Sequence, residues 1–133
     1  DMHSHLLPGI DDGAPDLDTS VQLIKGMMEL GFQKFITTPH IYPDLYPNTR
    51  QTIEQAHTLL MQRLQEEQLN VTVKAAAEYF VDEQFPERID QGEQLLTLHK
   101  NWVLFEVSFV SPPADLADTI FKMIVAGYQP VLA

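Results

Sequence analysis

Along the chain, apolar positions alternate between short clusters and helical stripes, and Gly or Pro marks most of the junctions. Asp1 to Leu7 reads as the end of a strand, broken by Pro8-Gly9, with a loop over residues 10–15. Asp16 or Asp18 caps a helix in which Val21, Ile24, Met27 and Met28 recur at helical spacing, and Gly31 stops it. Lys34 to Thr38 is a short β-prone run ended by Pro39 and His40, and the Tyr- and Pro-rich stretch from Ile41 to Asn48 is a loop. Asn48 or Thr49 opens a second helix with the stripe Ile53, Ala56, Leu60 and Leu64, ending over residues 66–69. Val71 to Ala77 predicts a strand stopping at Glu78. Residues 82–98 predict a short helix, a turn at Gly92 and then irregular chain. Trp102 to Phe105 predicts a strand ending at Glu106, with Trp102 in the core. Ser111-Pro112-Pro113 leads a helix with Leu116, Ile120, Met123 and Ile124 inward and Gly127 closing it, before a strand from Gln129 to Ala133. Such alternation of strands and helices implies a parallel sheet with crossover helices, without an internal repeat, a linker or a second domain.

Composition changes this picture little. With 133 residues, 44% hydrophobic and 20% charged, the chain is long enough for one domain with a core of its own. Its apolar runs are too short and interrupted for a membrane span, and it opens on Asp-Met-His without the basic n-region of a secretory signal. Charge narrows the function more. Nineteen acidic and eight basic residues leave a net −11, which argues against phosphate-backbone binding to DNA or RNA. The chain has no cysteine. That excludes a disulfide framework, a cysteine-zinc site and a cysteinyl-phosphate intermediate, and it is compatible with a cytoplasmic setting.

The candidate chemistry lies at the strand ends. Side chains two apart on a strand share a face, about 6–7 Å apart along the backbone, so His3 and His5 can converge on one cation. The second expected strand ends at His40, the third at Glu78 and the fourth at Glu106. In a parallel α/β barrel the C-terminal strand ends form one rim, where chemistry sits. Mixed His and carboxylate donors without thiolate suit Zn, Mn or Fe, and a carboxylate such as Glu78 can bridge two cations. Asp11 and Asp12, in a Gly-flanked loop, serve either as rim residues or as a simple turn. His57 and His99 read as surface residues. Arg50 and Tyr42 are the candidates for substrate contact, with a solvated helix start and plain packing as their alternatives; Tyr46 and Phe80 line either a groove or the core.

With these residues in view, the stretch His3-Ser4-His5-Leu6-Leu7-Pro8-Gly9-Ile10-Asp11-Asp12-Gly13 resembles the first motif of the polymerase and histidinol phosphatase (PHP) superfamily. Within it, the resemblance is to the bacterial protein-tyrosine phosphatases of capsule and exopolysaccharide production. Thr37-Thr38-Pro39-His40 resembles the second motif, and Ala76-Ala77-Glu78-Tyr79 and Leu104-Phe105-Glu106 the next two. The resemblance implies a distorted (β/α)7 TIM-like barrel of the PHP type, of which residues 1–133 cover about the first half, and a manganese-preferring centre of up to three metals, with Fe or Zn as alternatives. By it, His3 and His5 bind the first metal, Glu78 bridges to a second held by Glu106, and Asp12 and His40 hold the third beside the phosphate, as the catalytic pair. Asp11 then stands behind the ligands. The family continues past the Pro-Val-Leu-Ala strand with His-Pro-Glu-Arg, whereas this chain stops at Ala133, so a domain truncated at its C-terminus is expected. An open half-barrel exposes strand edges, which leaves room for oligomerisation or for pairing with further chain.

The expected activity is hydrolysis of phosphotyrosine on a protein, by in-line attack of a metal-activated hydroxide. The partner implied by the resemblance is an autophosphorylating tyrosine kinase of polysaccharide export, in the cytoplasm. Two other readings stay open: a small-molecule phosphatase of the histidinol-phosphate type (or a nuclease, disfavoured by charge), and a non-catalytic binding module that keeps a metal.

Overall fold

The expected alternation of strands and helices runs through residues 1–133, all of which the computed structural model describes, and it divides into two units, Asp1–Ala76 and Ala77–Ala133. In the first, Asp16 caps α1 (Leu17–Glu29) by accepting a hydrogen bond from the Thr19 amide at 2.7 Å. Gly31, at φ +95°, ends that helix: its amide donates to Met28 and that of Phe32 to Met27. Thr49 and Thr52 form a reciprocal capping box at the start of α2 (Arg50–Glu66). The predicted stripe Ile53, Ala56, Leu60 and Leu64 is buried, and α2 packs on α1, which buries Val21 and Ile24 but leaves Met27 and Met28 half-exposed. Each fully buried aliphatic side chain contributes about 1.5–3 kcal/mol. At the surface, Arg63 bridges to Asp18 and Glu67, and Glu67 also takes Lys25.

The helix α2 is the crossover between β1 (Lys34–Thr37) and β3 (Thr72–Ala75), which pair in parallel with Phe35 opposite Val73. Residues 1–7 do not form the regular strand expected of them. The Asp1 backbone nitrogen donates to the Lys34 carbonyl and the Ile36 amide to the Asp1 carbonyl, the start of a parallel ladder. The next rung falls on Ser4, whose carbonyl accepts from the Thr38 amide at 2.7 Å, rather than on His3. The ladder slips by one residue, and regular pairing ends there.

The second unit holds three parallel strands, β4 (Glu78–Phe80), β5 (Trp102–Glu106) and β6 (Gln129–Leu132), in that order. Helices α3 (Phe85–Asp90) and α4 (Leu116–Val125) pack on each other. Tyr79 is buried, and its hydroxyl accepts from the Leu96 amide at 2.7 Å, so the irregular segment after Gly92 is tied to the sheet. Arg88 lies over the Tyr79 and Phe85 rings while its Nε and Nη2 donate to the Glu93 carboxylate.

Several sequence expectations need correction. Val71 to Glu78 is not one strand: β3 stops at Ala75, and Glu78 opens β4 instead of ending β3. His40 likewise opens a two-residue strand, β2 (His40–Ile41), because Pro39 has no amide hydrogen with which to continue β1. Glu106 does end β5 as expected. In α4 the buried stripe is Thr119 and Met123, so Ile124, about 100° further round the helix, is 55% exposed. Trp102 is half-exposed, since it starts a strand whose three following residues fill the core.

Candidate metal centre

Four of the six expected metal ligands lie in the first unit, and the chain around them explains how they are held. The Thr37 hydroxyl, fully buried, donates to the Ser4 carbonyl and accepts from the Leu6 amide, both at 3.0 Å. With the Thr38 amide also on Ser4, β1 grips the backbone on either side of His5. The Nε2 atoms of His3 and His5 come within 3.4 Å of each other. Two imidazoles bound to one cation at about 2.0–2.1 Å in tetrahedral array would place their nitrogens about 3.3 Å apart, so the pair fits a shared metal.

Asp11 sets the orientation of His5. Its side chain has no exposed surface, and Oδ2 lies 2.8 Å from His5 Nδ1. A carboxylate only accepts, so Nδ1 carries the hydrogen and the lone pair of His5 is on Nε2, facing His3. The same Oδ2 accepts from the His40 amide at 3.2 Å, and Oδ1 from the Gly13 amide at 3.0 Å. Burial opposes ionisation of Asp11 and is the largest single influence, but the hydrogen bonds from His5 and from the Gly13 and His40 amides together outweigh it. The carboxyl therefore sits below its usual range and stays charged. A buried carboxylate behind a metal-type histidine is the arrangement that fixes ligand tautomer and raises basicity.

Asp12 points the other way. Its side chain is 60% exposed, with Oδ1 3.5 Å from His40 Nε2 and 3.8 Å from His5 Nδ1. The His5 and His40 rings lie 4.6 Å apart, and donor atoms of His5, Asp12 and His40 fall within 4.8 Å of one another. Tyr46 stacks on His40 at 5.3 Å and 13°, which assigns one of the loop tyrosines to packing. Tyr42 and Tyr46 exchange backbone bonds that close this loop into a tight hairpin. Arg50 stands on the exposed first turn of α2, paired with Glu54. His57 is half-buried, its Nε2 donating to the Val73 carbonyl, and His99 is exposed. An open groove of about 630 Å³ runs beside His57, Met61 and Leu64 on α2 and contains none of the expected ligands.

Glu78 and Glu106 belong to the second unit. Glu78 is in register with Leu104, two residues before Glu106. The two carboxylates thus share a face of neighbouring parallel strands. Glu78 is 3% exposed, and a carboxylate at that depth is stable only among partners that compensate its charge.

Sequence reasoning passed over Gly13. A Cβ there would lie 2.3 Å from the His5 carbonyl oxygen and 2.4 Å from His5 Cβ, so only glycine lets the Asp11–Asp12 loop lie against His5. The Gly beside two aspartates was a signal for this close approach, though it also fits any turn.

Comparison with known proteins agrees with the motifs. A family model described as "Capsular polysaccharide synthesis, CpsB/CapC" matches residues 1–133. Tyrosine-protein phosphatase YwqE of Bacillus subtilis (strain 168) is 28% identical over 133 residues, 100% of this chain and 52% of that protein. Putative tyrosine-protein phosphatase CapC of Staphylococcus aureus is 21% identical over 133 residues, 100% of this chain and 52% of its own length. The chain spans about half the length of these curated relatives. A chain from the crystal structures of YwqE from Bacillus subtilis and CpsB from Streptococcus pneumoniae, there called unique metal-dependent tyrosine phosphatases, superposes with TM-score 0.87 at 27% identity, over 99% of this chain and 53% of that one.

Proposed function

Because this chain belongs to the CpsB/CapC family of capsular polysaccharide synthesis, we propose that it is part of a metal-dependent phosphatase that removes phosphate from tyrosine on a protein. The observation that carries this reading is the cluster of His5, Asp12 and His40 beside the His3–His5 pair, with the buried carboxylate of Asp11 fixing the tautomer of His5. The likeness to proteins named tyrosine-protein phosphatases supports the substrate class.

In this reading His3, His5, Asp12, His40, Glu78 and Glu106 hold divalent cations, Mn in preference to Fe or Zn, up to three in the intact protein. Its full-length fold is a distorted (β/α)7 barrel of one PHP domain. Bound cations offset charge on the phosphoryl oxygens and make water a nucleophile near neutral pH. His5 keeps its lone pair on Nε2 through Asp11, and Asp12 and His40 stand nearest the phosphoryl group. Arg50 and Tyr42 contact substrate. These 133 residues supply no thiol, in keeping with direct transfer to water. The partner is a tyrosine-phosphorylated protein, an autophosphorylating kinase of polysaccharide export, met in the cytoplasm; no helix is long and apolar enough to cross a membrane.

The test is turnover by the full-length protein of a phosphotyrosine peptide and of histidinol phosphate, with Mn²⁺ and with a strong chelator. Peptide hydrolysis abolished by chelator and restored by Mn²⁺ is expected. Undiminished turnover in chelator would overturn the metal reading, and a preference for histidinol phosphate would overturn the protein substrate.

A further inference from the structure

Asn48 lies in none of the motifs, yet its side chain joins the two backbone segments that carry the metal-type residues of the first unit. Its Nδ2 donates to the Ile10 carbonyl at 2.7 Å and to the His40 carbonyl at 2.9 Å. An amide nitrogen carries two hydrogens, and both are used. Oδ1 accepts from the Thr52 hydroxyl at 3.2 Å in the first turn of α2, and a flip of the amide would set its oxygen against two carbonyls and lose both donations. Ile10 immediately precedes Asp11 and Asp12, and His40 is the residue whose amide Asp11 accepts.

From this geometry we infer that Asn48 is a positioning residue, a clamp that sets the spacing of the Asp11–Asp12 loop from His40; the inference rests on the reading of this site as a metal centre. The residue type follows from the task. Aspartate has the same size but no donor, serine has one donor, and alanine has none. Asp11 shares this task. It holds His5 and the His40 amide from inside the loop, while Asn48 holds the loop's entrance from outside. With the clamp released, Asp12 loses its fixed place beside His40 Nε2.

The experiment uses the full-length protein with Asn48→Ala and, as a control, Thr49→Ala, which breaks the capping box of α2 and leaves both clamp bonds intact. Partners behind metal ligands typically change metal affinity by about 10–100-fold when removed, so Asn48→Ala should weaken Mn²⁺ binding by about that factor in calorimetric titration. In metal-free protein the Gly13 and Ala14 amides, bonded to Asp11 and to the His5 carbonyl, should exchange with solvent about tenfold faster. Thr49→Ala should lower thermal stability without either change. If Asn48→Ala fails to fold, Asn48→Ser, with one donor left, should give intermediate values.

Wild-type Mn²⁺ affinity and wild-type exchange in the Asn48 variants would overturn the clamp, as would equal changes in Thr49→Ala. A wild-type protein that binds no Mn²⁺ would overturn the metal reading instead, and the exchange rates would still decide whether Asn48 holds the loop.

Discussion

Replacing Gly13 by alanine should be among the most damaging small changes in the first unit. The new Cβ would meet the His5 carbonyl oxygen at 2.3 Å and His5 Cβ at 2.4 Å. Those atoms are backbone and the root of a side chain, so neither can swing aside, and the loop must retreat. Gly13 is not among the glycines with positive φ, so the penalty is steric and owes nothing to backbone strain. Overpacking of this kind costs about 1–3 kcal/mol. Retreat also loosens the bonds from Ala14 to His5 and from Gly13 to Asp11, each worth about 0.5–1.5 kcal/mol. The sum is roughly 2–6 kcal/mol of destabilisation, read from urea unfolding of wild type and variant at fixed pH. Gly26→Ala is the matched control. Gly26 lies in α1, and a methyl group added there would meet nothing within 4 Å, so alanine at this position should stabilise by about 0.5–1 kcal/mol. The reasoning fails if Gly13→Ala unfolds at the same urea concentration as wild type or as Gly26→Ala.

Three further outcomes follow from the same contacts. Thr37→Val keeps the shape but strands the Leu6 amide and removes a donor from Ser4; it should cost about 1–3 kcal/mol, and a loss under a few tenths would mean that water replaces the hydroxyl. Asp11→Asn removes the charge behind His5 and should weaken Mn²⁺ binding of the full-length protein about 10–100-fold, whereas unchanged affinity in a metal titration would strip Asp11 of its role. For acid stability, hydrogen bonds from Lys25 and then Arg63 hold the Glu67 carboxyl below its ordinary range. A depressed folded-state pKa stabilises above the unfolded glutamate value and is lost as pH falls through the folded one. The stability gap between wild type and Glu67→Gln should therefore be present at neutral pH and close progressively below about pH 4.3; a gap that widens with acid contradicts the assignment.

Local pattern carried the helices and the candidate ligand types. The stripe Ile53, Ala56, Leu60 and Leu64 is buried as its spacing demands, Gly31 and Gly127 end helices in left-handed backbone, and Asp16 caps. These features depend on residues within a turn or two of each other, and a periodicity of that range is written directly in the chain. The spacing of His3 and His5, two residues apart, is of the same range, although they meet on an irregular segment and not on the strand expected. The break between β3 and β4 was not legible, because Ala76 and Ala77 are as compatible with one strand as with two. Nor was the outward turn of Ile124, since Leu116, Ile120, Met123 and Ile124 fit a helical stripe that its neighbours then narrow to Thr119 and Met123. The supports of the site belong wholly to tertiary structure. Asp11 on His5, Asn48 on Ile10 and His40, and Gly13 against His5 join segments whose separation along the chain bears no fixed relation to their separation in space. The sequence alone determined which residue types could bind a metal. Only packing decided which of them are held, and by what, because a hydrogen bond between distant segments forms only after the elements between them have folded and brought its ends within about 3 Å.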